Sequence, residues 1–144
     1  FFARFIELAG EINELMPHHV VTKVIWALNR IKKPLRGSSI LVLGVAYKKD
    51  IDDIRESPAI PIIGDLIRKG AEVSYHDPHV PQVKIGSREL KSIALSKPAL
   101  KSADCVLILT DHSALDYSTI AKSAKLIVDT RHAIKENLPN VIRF

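Results

Sequence analysis

Between Tyr47 and Glu56 the chain reads YKKDIDDIRE, a ring and two lysines followed by three aspartates, an arginine and a glutamate. Such a charge run is either a solvated surface loop or an edge that contacts an anionic ligand. Three features favour contact. The run follows an apolar strand, where α/β sheets bind ligands; its cations precede a helix N-terminus, which itself favours anions; and Tyr47 can pack on a flat ring. Phosphate suits this set, because arginine offers a planar fork and lysine a mobile point charge. The acids then hold the cations in place or cap the helix.

Asp129-Thr130-Arg131 and Thr110-Asp111-His112 occupy equivalent places after two later apolar runs. Arg131 either neutralises Asp129 or converges on the same edge as Lys48. Asp111 or Ser113 is read as a helix cap, since caps favour these residue types. His112 shows no partner acid at a fixed spacing and is not assigned as a base. Cys105, inside the run CVLIL, is read as core, because burial raises a thiol's pKa and blocks access. Gly44 stands alone where a dinucleotide fingerprint needs several glycines. No metal site and no catalytic residue are assigned: the six histidines are scattered and the single cysteine cannot build a site alone.

The elements that must position these residues are legible in outline. The apolar positions Phe5, Leu8, Ile12 and Leu15, then Val20, Val21, Val24, Ile25 and Leu28, follow helical spacing in two pieces divided by Pro17. Residues 40–43 form a nearly continuous apolar strand, as in parallel sheets covered on both faces. Ser57 is the expected N-cap and Pro58 the first helical residue of a helix whose face is Ile60, Ile63 and Ile67 and which Gly70 closes. A strand at 72–76, a proline-rich turn at 77–81, a short helix at 97–103, a strand at 105–109, a helix at 113–123 and a strand at 126–129 complete the pattern. Residues 82–96 carry no readable pattern. Alternating strands and helices at this spacing predict an open, doubly wound, parallel α/β sheet of Rossmann-like type, preceded by the end of a long kinked helix.

At 144 residues one α/β domain is the default, and the net charge of +5 is spread among interleaved acids with few aromatics, which argues against nucleic acid. No run approaches a membrane span, and no secretory signal or transit pattern opens the chain, so a cytoplasmic setting is expected.

The segments GVAYKKDIDDIRESPAIPIIGDLIRKGAEVSYHDPHVP, ADCVLILTDHSAL and IVDTRHAI closely resemble, in order and spacing, the carboxyl-terminal domain of the UDP-glucose/GDP-mannose dehydrogenase family, and FIELAGEINELMPHHVV resembles the end of the central helix before it. The resemblance divides the chain into residues 1–35, the end of a helical dimerisation region, and residues 36–144, a UDP-binding domain. It implies an NAD-dependent oxidation of the C6 alcohol of a UDP-sugar to a carboxylate, through a cysteine-bound intermediate, for polysaccharide precursor synthesis. The wording DDIRESP is closer to the bacterial branch acting on UDP-N-acetyl-hexosamines. By position, Tyr47, Lys48 and Arg131 are implied as substrate contacts and Arg55 as the residue reaching NAD, which is held mainly by an amino-terminal domain absent from this chain. The nucleophilic cysteine also belongs to a segment absent here, so the chain alone is expected to be inactive; a homo-oligomer is implied. The alternatives are a stand-alone nucleotide-binding or assembly module without catalysis and, less well matched, a receiver-like signalling domain.

Overall fold

The computed structural model describes residues 2–143, the side chains of residues 2, 10 and 12–14 excepted. A 29-residue helix α1 (Phe2–Arg30) leads into β1 (Ser39–Leu43), α2 (Ala59–Arg68), β2 (Glu72–His76), a hairpin of β3 (Gln82–Ile85) and β4 (Arg88–Lys91), α3 (Lys97–Ser102), β5 (Cys105–Ile108), α4 (Tyr117–Ser123), β6 (Ile127–Asp129) and β7 (Val141–Arg143). The main sheet has the order β2-β1-β5-β6-β7 and every pairing in it is parallel. The winding reverses between β1 and β5, the place where open α/β sheets form a crevice beyond their carboxyl ends.

Alternation along β1 explains its continuous apolar run. Ile40 and Val42 face one core layer with α1 and α2, whereas Leu41 and Leu43 face the other with α3 and α4. Both faces are covered, so no position in 40–43 can be polar. Cys105 lies wholly inside the first layer, and burial pushes its thiol up to about 12, as expected of core.

Three sequence expectations are corrected. Pro17 does not divide α1: the helix runs through it, at the cost of one intrahelical hydrogen bond. Val20, Val21, Val24, Ala27 and Leu28 beyond it are buried against α2 and the sheet, and that packing holds the helix together. On the other side Phe5, Ile6, Leu8 and Leu15 are exposed, and Ile12 lies outside the described side chains. The helix expected at 113–123 is shorter, because its cap is Asp116, whose carboxylate accepts the Thr119 amide and hydroxyl, rather than Asp111 or Ser113. Ser57, by contrast, caps α2 as expected: its hydroxyl accepts the Ala59 amide at 3.3 Å while donating to the Val45 carbonyl at 2.8 Å, and Pro58 is already helical at φ −66°, ψ −15°. Finally, residues 82–96 contain the hairpin, closed by Gly86-Ser87 with Gly86 at φ +61°, and its Val83 and Ile85 are buried with the α1/α2 layer. No described helix is long and apolar enough to cross a membrane.

Candidate functional site

The loop after β1 begins by turning hard against its neighbour. Gly44 has φ +84°, and a side-chain carbon there would meet the Thr110 carbonyl oxygen at 2.4 Å, so no other residue fits. Thr110 returns the contact, its hydroxyl donating to the Ala46 carbonyl at 2.7 Å. The amides of Val45 and Ala46 donate to Oδ2 of Asp77, at 2.8 and 3.3 Å, and the other carboxylate oxygen accepts the His79 amide. Asp77 is 3 % exposed and His112 fully buried. His112 Nε2 lies 2.8 Å from the same Oδ2, while its Nδ1 receives the Asp50 amide at 2.8 Å. His112 thus does have a partner acid, 35 residues away in sequence and in contact only once β2 and β5 flank β1.

Beyond Ala46 the loop is exposed. Asp50, at φ +64°, accepts the amide and hydroxyl of Ser113, and the hydroxyl foremost lowers its pKa. Asp53 makes a fork with Arg55, Nε to Oδ1 at 3.0 Å and Nη2 to Oδ2 at 2.9 Å, which holds the Asp53 carboxyl down at about 2. The acids therefore hold one cation, Arg55, whose side chain is 86 % exposed. Lys48 lies elsewhere, its ammonium 5.7 Å from the centre of the Tyr47 ring, within cation–π range.

After β6 the chain is organised by a second buried carboxylate. Asp129 accepts the amides of Arg131, Ala133 and Ile134, so its partners are backbone groups. The Arg131 side chain does not neutralise it; Nε donates instead to the Leu109 carbonyl at 2.9 Å. That bond orients the guanidinium along the end of β5.

A cleft of about 540 Å³ opens beside these elements, lined by Tyr47, Glu56, Pro58, Leu109, Thr130 and Arg131 together with Ile62 and the α1 residues Met16, Pro17 and Val20. The fold brings Tyr47 and Arg131, 84 positions apart, onto one cleft; Lys48 is not in its lining and is linked to it only through the Tyr47 ring. Arg55 is not in its wall but points into solvent. An aromatic face and a guanidinium over an apolar floor, with an ammonium beside the ring, can take a ring-bearing phosphorylated molecule. A metal is less well served: ligand atoms of Asp50, His79 and His112 lie within 4.8 Å of one another, but both nitrogens of His112 are already engaged.

Comparison with known proteins gives the family. The family model described as the UDP binding domain of the UDP-glucose/GDP-mannose dehydrogenase family matches residues 41–136, which contain both carboxylate-anchored loops. The chain belongs to this family. Its UDP-binding domain is 34 % identical to UDP-N-acetyl-D-mannosamine dehydrogenase of Methanococcus vannielii over 94 % of this chain and 32 % of that protein. It is 35 % identical to NDP-N-acetyl-D-galactosaminuronic acid dehydrogenase of Ralstonia solanacearum over 90 % of this chain and 30 % of that one. The structure of UDP-D-ManNAc dehydrogenase from Pyrococcus horikoshii superposes with a TM-score of 0.78 at 31 % identity, over 96 % of this chain and 32 % of that one. The chain therefore spans about a third of the length of the relatives it matches.

What the residues alone did not reveal in this UDP-binding domain is the Asp77–His112 pair. A signal existed in the DP after the second strand and the TDH after the third, since both motifs end parallel strands that flank the first. Only the strand order makes them neighbours.

Proposed function

We propose that this chain is the part of an NAD-dependent UDP-sugar 6-dehydrogenase that grips the nucleotide of its substrate, while the C6 alcohol is oxidised to a carboxylate elsewhere in the longer protein. The observation that carries the reading is the convergence of Tyr47 and Arg131 on one cleft, with the Lys48 ammonium beside the Tyr47 ring. In this assignment Arg131 and Lys48 face the diphosphate and Tyr47 the substrate's rings. Remote binding of this kind positions the reacting carbon without touching it. The substrates we assign are UDP-N-acetyl-mannosamine or its relatives, by likeness to proteins bearing those names, as precursors of polysaccharides.

Arg55 is assigned to the cofactor. The residues of this chain do not form a dinucleotide cradle, since Gly44 is consumed by its contact with Thr110. A guanidinium held by Asp53 and exposed to solvent suits contact with NAD bound by another domain. The amino-terminal half of α1, with Phe5, Ile6, Leu8 and Leu15 exposed, is assigned to residues 1–35 as a dimerisation element. A buried, unpaired thiol suits a reducing compartment, and the cytoplasm is the setting we propose.

Calorimetry of this chain with UDP, uridine and inorganic phosphate tests the nucleotide assignment: UDP is expected to bind more tightly than either fragment of it. In the longer protein, Lys48→Ala and Arg55→Ala are expected to lower the rate of NAD reduction with a UDP-sugar. Normal turnover by both variants overturns the site assignment, and a strictly monomeric sedimentation profile overturns the role given to α1.

A further inference from the structure

Resting on the nucleotide reading of the cleft, we propose that His112 is a positioning residue that holds the Tyr47–Lys48 edge in register through a single tautomer set by Asp77. Residues Tyr47 to Lys49 are a short span between two anchor points. At one end the amides of Val45 and Ala46 are held by Oδ2 of Asp77. At the other the Asp50 amide is held by Nδ1 of His112 at 2.8 Å. Nε2 of the same ring lies 2.8 Å from the same Oδ2, so one carboxylate oxygen ties both ends together.

The chemistry admits one state of the ring. A carboxylate that accepts amides also requires a donor from His112, which places the proton on Nε2 and leaves Nδ1 bare to accept from Asp50. A proton on Nδ1, whether in the other tautomer or in the imidazolium, would set N–H against N–H. The ring is completely buried, which bars water from replacing a lost partner. The groups facing it are the carboxylates of Asp77 and Asp50, the latter 4.0 Å from Nδ1, the His79 ring at 4.7 Å between centroids, and the Tyr117 hydroxyl, which donates to the His112 carbonyl. None of the hydrogen bonds and ring contacts of His112 goes to a residue lining the cleft, so its effect on a ligand runs through the backbone of residues 45–50.

The test uses this chain labelled with ¹⁵N at histidine. The wild-type ring is expected to show a bare Nδ1 and a protonated Nε2. His112→Gln keeps a donor near Asp77 but offers nothing to the Asp50 amide. Hydrogen exchange of that amide is expected to speed up about tenfold, and UDP affinity to fall about fivefold, with amides of β5 and β6 unchanged. His112→Asn, which returns an oxygen to the Nδ1 position but no donor to Asp77, is expected to slow the Asp50 exchange again without restoring UDP affinity in full. An Nδ1–H ring in the wild type, or unchanged Asp50 exchange in His112→Gln, overturns the proposal. Should the wild type fail to bind UDP, the nucleotide reading falls, while tautomer and exchange still decide whether His112 clamps the loop.

Discussion

The two ends of the loop after β1 are built on opposite terms. From Gly44 to Ala46 it is buried, and its three amides and the carbonyls of Val45 and Ala46 are spoken for by His76, Asp77, Thr110 or Ser57. From Tyr47 to Asp50 and at Arg55 it is exposed, and its ion pair faces solvent. Buried polar groups leave no water to replace a lost partner, so the first region has one arrangement. Exposed charges are screened and contribute little to stability, so the second region is free to serve contact. Position is made at the base and chemistry is offered at the tip.

Changes at the base are expected to be felt by the whole fold. Gly44→Ala should cost about 3 kcal/mol or more in urea unfolding, because a left-handed φ and overlap with Thr110 act together. Asp77→Ala, which strands the Val45, Ala46 and His79 amides and the His112 ring, should cost about 2–3 kcal/mol by the same measurement. A base that tolerated both changes would erase the contrast.

At the tip the readout moves from stability to binding. Lys48→Ala and Arg131→Ala should each weaken UDP about tenfold in calorimetry while leaving the unfolding midpoint in place, as the loss of one charge-assisted contact implies. A shifted midpoint with unchanged affinity would reassign both residues to structure.

The smallest effect concerns Asp53. Its carboxyl is held at about 2 by Arg55, below its unfolded value. A depressed carboxyl contributes stability that is present above the unfolded pKa and is lost as pH falls towards 2. The pair is exposed, so unfolding should register no change in Arg55→Ala, whereas an NMR titration of Asp53 should move back to the ordinary carboxylate range. A titration near 2 in the variant would assign the shift to something other than the guanidinium.

Much of the fold was legible because its signals are local. The apolar runs in β1, β5 and β6, the Gly70 stop of α2 and the βα alternation need only neighbouring residues to be read. The hairpin has a local signal too, since VKIGSREL carries its alternation and a two-residue Gly-Ser turn. The break expected at Pro17 follows from proline's missing amide, but the buried face from Val20 to Leu28 outweighs one lost bond.

Residue type and order by themselves determined that Tyr47, Lys48 and Arg131 stand just past parallel strands, and that Cys105 is core. Which of them share a cleft was decided only by the strand order β2-β1-β5-β6-β7, which sets the ends of β1, β5 and β6 side by side and sends Arg55 outward with Asp53. The same order joined Asp77 to His112. A hydrogen bond between residues 35 apart depends on which strands are adjacent, and adjacency comes from packing the whole sheet between its two helical layers.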